Sequence, residues 1–124
     1  MTIAYWCVLA AAVLPYAFTG LAKFTGGKFN NKRPREWLDQ LEGWRQRANW
    51  TQLNGFEAFP PFAAAVIIAH ILQSPQGTVD KLALAFIGLR ILHGAFYLAN
   101  WHWQRSLAWF AGFGCVIALF VVAA

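Results

Sequence analysis

Four stretches, Ile3–Ala22, Gly55–Gln73, Val79–Ala99 and Ser106–Ala124, are almost continuously apolar. A helix crosses the roughly 30 Å hydrocarbon core of a bilayer in roughly 20 apolar residues, and each stretch is close to that length. Four such runs leave almost nothing of a 124-residue chain for a separate soluble domain. Composition agrees: 59% of residues are hydrophobic and 12% charged, with a mean hydropathy of +0.44. Soluble domains run at roughly 45–50% apolar and about 25% charged. The chain is therefore expected to be an all-α integral membrane protein, one four-helix bundle over residues 1–124. Its helices are expected at about 3–22, 47–73, 79–99 and 105–124, with a basic loop over 23–46.

Charge placement predicts an orientation. The segment Lys23–Arg47 carries Lys23, Lys28, Lys32, Arg33, Arg35, Arg45 and Arg47 against Glu36, Asp39 and Glu42, most of the formal net charge of +5. Short loops rich in Lys and Arg stay on the cytoplasmic side. The loop is accordingly expected inside and both termini outside. No basic residue precedes the first apolar run, so that run is read as an uncleaved helix rather than a signal peptide. The basic loop is read as facing lipid headgroups, in preference to nucleic-acid binding. Within it, Pro34 can start a short helix, and Trp37, Leu38, Leu41 and Trp44 make an amphipathic pattern over Arg35–Trp44. Trp50, Trp101 and Trp103 complete an inner aromatic belt. Pro60-Pro61 removes two backbone donors and is expected to kink the second helix. Ala65/Ala69, Ala95/Ala99 and Ala108/Gly112 offer close helix contacts. Cys7 and Cys115 show no ligand spacing and are read as buried, inert thiols, with no metal site.

The polar residues inside these runs are the informative ones, because ionisable groups at membrane depth are costly and turn inward. Arg47, Asn54 and Glu57 fall near one face of the second helix, with Gln52 offset from it. Arg90, His93 and Tyr97 share a face of the third, and Arg105 opens the fourth. Each residue alone has a structural explanation: Glu57 could neutralise an arginine, Asn54 could bond between helices, and Arg105 could anchor the interface. As a set, two apolar helices carrying matched polar faces at one depth point to a pocket for a charged ligand with several polar groups.

The run Gln52-Leu53-Asn54-Gly55-Phe56-Glu57-Ala58-Phe59-Pro60-Pro61-Phe62, followed by Arg90-x-x-His93-x-x-x-Tyr97 and Arg105, resembles the MAPEG family, membrane-associated proteins in eicosanoid and glutathione metabolism. The resemblance covers essentially the whole chain. It implies a four-helix bundle forming a homotrimer, with glutathione held as co-substrate between subunits on the cytosolic side. Position by position, it implies that Asn54 and Glu57 hold the polar ends of glutathione, with Gln52 a weaker contact. Arg90, His93 and Tyr97 would line the same pocket, and Arg105 would stabilise the thiolate. Trp50 departs from this pattern, standing where relatives active with glutathione usually carry Arg; Arg47, one turn earlier, is the nearest substitute. Ala58 stands where eicosanoid-type members often carry an aromatic residue, which argues against a leukotriene-type activity.

Two functions follow as expectations. One is a glutathione-dependent transferase or peroxidase acting on lipophilic electrophiles. The other is a non-catalytic membrane protein, binding lipid or serving as an accessory subunit of a larger membrane complex. A channel is disfavoured, since no pair of broken helices is evident. The compact length suggests a bacterial inner membrane, and a eukaryotic endoplasmic reticulum would suit the same topology.

Overall fold

A computed structural model describes all residues, Met1–Ala124. It contains α1 (Ile3–Thr25), a short α2 (Pro34–Asp39), α3 (Gly43–Ile71), α4 (Gln76–Leu98) and α5 (His102–Ala123), and no strand. By length and composition α1, α4 and α5 can each cross a membrane. The 29-residue α3 does not meet the same apolar criterion, because its N-terminal half carries Arg45, Arg47, Asn49, Gln52, Asn54 and Glu57.

Contacts at the helix ends fix the directions. The Ala4 N–H donates to Asp80 Oδ1 at 2.9 Å, so the beginnings of α1 and α4 lie together. Arg45 Nε donates to Thr25 Oγ1 at 3.3 Å, so α3 starts where α1 ends and returns antiparallel to it. α3 and α4 form the central pair, with α1 against one side of both and α5 against the other. Phe62 and Phe86 stack across that pair with ring centroids 3.9 Å apart, and both are buried.

Local chemistry explains the boundaries. The first turn of α1 is capped twice, by Thr2 Oγ1 accepting from the Tyr5 N–H and by Asp80 from α4. α3 and α4 both end with a residue in the left-handed region, Gln73 at φ 55° and Asn100 at φ 61°. At the end of α4 the Asn100 N–H donates to the Tyr97 carbonyl and the Trp101 N–H to the Phe96 carbonyl. Gln73 and Ser74 repeat that pairing on His70 and Ala69, so orphan carbonyls are satisfied within tight turns.

Several expectations change on this frame. α3 begins at Gly43, four residues before the expected start, since Gly43 at φ 63° turns the chain straight into helix. α2 is one short helix that stops at Asp39, so Leu41 and Trp44 do not belong to it. α3 stays helical through Pro60 and Pro61, the place where a kink is expected. Ala65, Ala69, Ala108 and Gly112 are buried as close contacts, whereas Ala95 and Ala99 are exposed. Cys7 is buried and Cys115 only partly so; both are free thiols.

Two glycines bring α1 unusually close to the central pair. A Cβ on Gly55 would lie 2.6 Å from Pro15 Cγ, and one on Gly94 would collide with the tip of the Phe18 ring. Gly55 follows Asn54 and Gly94 follows His93. With α1 backing the glycines, the polar neighbours are left to the side facing α5.

Candidate functional site

The side chains singled out from sequence separate into two groups. Asn54, Glu57, Arg90, His93, Tyr97 and Arg105 line one continuous groove between α3, α4 and α5. Its inner part is a cleft of about 100 Å³ holding Asn54, Glu57 and Arg90 over an apolar floor that includes Phe86, Trp109 and Phe113. A middle depression of about 240 Å³ is bounded by Asn54, His93, Tyr97, Arg105 and Ser106. A mouth of about 360 Å³ is formed by Trp50, Leu53, Asn54, Glu57 and Tyr97. Asn54 borders all three.

Arg47 and Gln52 are not part of this groove. Arg47 Nε and Nη2 both donate to the Leu98 carbonyl, at 3.2 and 3.0 Å, which ties α3 to the last turn of α4. A cation is well placed there, against the negative end of the α4 dipole. Gln52 is buried and donates to Asn49 Oδ1 at 3.3 Å, within α3.

The electrostatics of the groove are unusual because its opposite charges do not pair. Arg90 is buried, and Nη2 donates to Asn54 Oδ1 at 2.8 Å. No carboxylate lies within ion-pair distance of it; the chain's single ion pair is Arg33–Glu36 on the loop. Glu57 lines the same cleft, exposed and without a cationic partner. Arg90 also reaches the small crevice behind it, beside Thr51 and Pro15, so its guanidinium sits at the meeting of α1, α3 and α4.

The middle depression is built on Tyr97. Arg105 lies over its ring, 4.5 Å from the centroid, and His93 meets it edge-on at 5.6 Å. His93 is buried and its Nδ1 has no hydrogen-bond partner. A guanidinium resting on an aromatic face keeps its N–H donors free at the edge, available to an anion. On the side of the mouth Trp50 lies beside Tyr97, with ring centroids 6.4 Å apart.

Sequence reasoning did not find the contribution of α5 beyond Arg105. Trp109, Gly112, Phe113 and Val116 line the inner cleft, and they recur at helical spacing four, seven, eight and eleven residues after Arg105. That periodicity is visible in the sequence, but it looks the same as a lipid-facing stripe until the partner helix is known. No group of His, Cys, Asp and Glu is arranged to hold a metal.

A helical bundle with membrane-length apolar helices and a polar groove cut into one end defines the molecule as an integral membrane protein with a candidate small-molecule site. The model of the MAPEG family matches residues 3–124, and the chain belongs to that family. No curated protein and no solved structure shows a significant match to the chain.

Proposed function

We propose that the protein is a glutathione-dependent transferase or peroxidase acting on lipophilic electrophiles that reach it through the bilayer. The observation that carries this reading is the failure of Arg90 and Glu57 to pair, although they line one cleft. An ion pair built only to hold helices in register would close on itself. Two opposite charges held apart suit a zwitterion, and the α-ammonium and α-carboxylate of a γ-glutamyl group sit on one carbon. Arg90 with Asn54 would take the carboxylate, and Glu57 the ammonium.

Arg105 would serve the thiol. The thiolate is the nucleophile, and a guanidinium beside it favours that form. In transfer, the thiol proton leaves to water, sulfur forms a bond to the electrophilic carbon, and the leaving group departs with its electron pair. The apolar floor from Trp109 and Phe113 would hold the electrophile.

The wider arrangement extends the same proposal. At 29 residues α3 is about 44 Å long by its helical rise, enough to cross as the fourth span. Its polar face turns into the groove, which is why composition alone understates it. With the basic loop on the cytoplasmic side of an inner membrane, the groove would open towards the cytoplasm, and neighbouring copies in a homotrimer would cover its flank. Titrating purified protein with glutathione tests the reading: saturable binding supports it, and no binding contradicts it.

A second reading rests on exposed tryptophans. Trp50, Trp101 and Trp103 are 43%, 55% and 72% exposed at the groove end of the bundle. They would suit a lipid-binding or accessory subunit of a larger membrane complex, in which case a stoichiometric partner should co-purify and glutathione should not bind.

A further inference from the structure

Trp109 carries a hydrogen-bond donor with nothing in the chain to receive it. Trp50, Trp101 and Trp103 are exposed at the groove end of the bundle, where an indole N–H can reach water or headgroups. Trp37 donates its N–H to the Lys28 carbonyl at 2.9 Å. Trp109 is partly buried, roughly 10 Å along α5 from its first residue by helical rise, and its Nε1–H has no partner. That donor is not sealed in the core, because the one buried side-chain polar atom without a partner is His93 Nδ1. Turned to lipid it would find no acceptor, which is costly. The groove is the other surface that Trp109 lines.

Trp109 borders the middle depression together with Arg105, and the inner cleft together with Phe113. Arg105 lies four residues before it, on the same helical face. The indole is held by a near-parallel stack on Phe113, with centroids 5.4 Å apart and 12° between the planes. Phe110 meets it edge-on at 5.1 Å. A donor held in place by two rings thus stands one turn from the guanidinium proposed to hold the thiolate.

Resting on the glutathione-site reading above, we infer that Trp109 is a second catalytic residue, its Nε1–H bonding the oxygen of a conjugated carbonyl electrophile, a 2-alkenal or 2-enone, as that oxygen takes up charge. The thiolate sulfur bonds to the β-carbon, the C=C electron pair shifts towards the carbonyl, and the enolate oxygen accepts from the indole. The indole keeps its proton, and water protonates the α-carbon. Donors fixed in advance towards developing charge act most strongly where water is excluded. A neighbouring copy over the flank of the groove would exclude water further.

The experiment compares 2-nonenal with 1-iodononane as electrophiles for the membrane-reconstituted protein and glutathione, each rate taken relative to the uncatalysed reaction with the thiolate. The iodide sends its charge to the departing halide and has no oxygen to receive the bond. Wild-type protein should therefore accelerate the enal about 10²-fold more than the iodide, the usual worth of one such donor. Trp109→Phe keeps a ring and loses the N–H, and should cut kcat for the enal about 10²-fold more than for the iodide while the thiolate signal of bound glutathione stays. Equal acceleration of the two electrophiles by the wild type overturns the inference whether or not the variant folds, and so does an equal loss in Trp109→Phe. A saturable thiolate signal would then leave the glutathione site standing, and its absence in the wild type overturns the site itself.

Discussion

A guanidinium held at the centre of a membrane helix costs about 3 kcal/mol on insertion scales, and Arg90 meets that cost with one protein hydrogen bond, to Asn54. A buried charge of this kind costs stability rather than supplying it, so replacing it with an apolar side chain of similar length is expected to be neutral or stabilising. Arg90→Met is accordingly expected to hold or raise the melting temperature of the ligand-free protein while abolishing glutathione binding; a loss of stability together with unchanged binding would place Arg90 in the scaffold alone. Asn54→Ala leaves the buried guanidinium without its partner. Its expected cost is about 1–3 kcal/mol of stability, read by thermal unfolding in detergent. Both residues stand out in the sequence as polar positions within apolar runs. Their pairing does not, because they are 36 positions apart and only the α3–α4 packing brings them together.

Helix by helix, the sequence is most informative where one property dominates. The apolar runs of α1, α4 and α5 are evident from hydropathy, and the structure places each within a few residues of its expected bounds. α3 is less legible, since a single helix serves the loop, the site and the core in turn. Its first turns carry Arg45 to Thr25 and Arg47 to Leu98, its middle carries Asn54 and Glu57, and only its last part is uniformly apolar. Arg47 shows the limit clearly. On a helical wheel it lies near Asn54 and Glu57, yet its length lets it reach the end of α4 instead. Arg47→Ala should therefore lower stability by about 1–3 kcal/mol, by removing two charge-assisted bonds to a part-buried carbonyl, and leave glutathione affinity unchanged; a large loss of affinity would return it to the site. The α1 contact has its own test. Gly94→Ala drives a methyl group into Phe18, and overpacking of this kind is expected to cost about 1–3 kcal/mol in thermal unfolding.

On the scale of the whole molecule, charge and aromatic groups gather at one end of the bundle. The loop between α1 and α3, the tryptophans of the α4–α5 turn and the groove all lie there, while the opposite end is closed by the Thr2 and Asp80 caps. Many large apolar side chains on the flanks are exposed, among them Leu107, Phe110, Ile117 and Val121 on α5. Lipid or a second copy of the chain suits such surfaces. The proposed homotrimer predicts that chemical crosslinking in native membranes stops at three copies, and a purely monomeric species would contradict it. A subunit contact on these flanks would not be legible in sequence pattern, because lipid-facing and subunit-facing apolar stripes have the same composition.

The most direct test of the groove is the ultraviolet absorbance of thiolate when glutathione is added to purified protein at neutral pH, with wild type and Arg105→Ala in parallel. The wild type is expected to develop a saturable thiolate signal. In Arg105→Ala the signal should vanish and turnover with a lipophilic electrophile fall by about 10²–10³-fold, the usual consequence of removing one donor from a developing anion. Thiolate formation and turnover equal in the two proteins would contradict the assignment of Arg105, and with it the chemistry proposed for the groove.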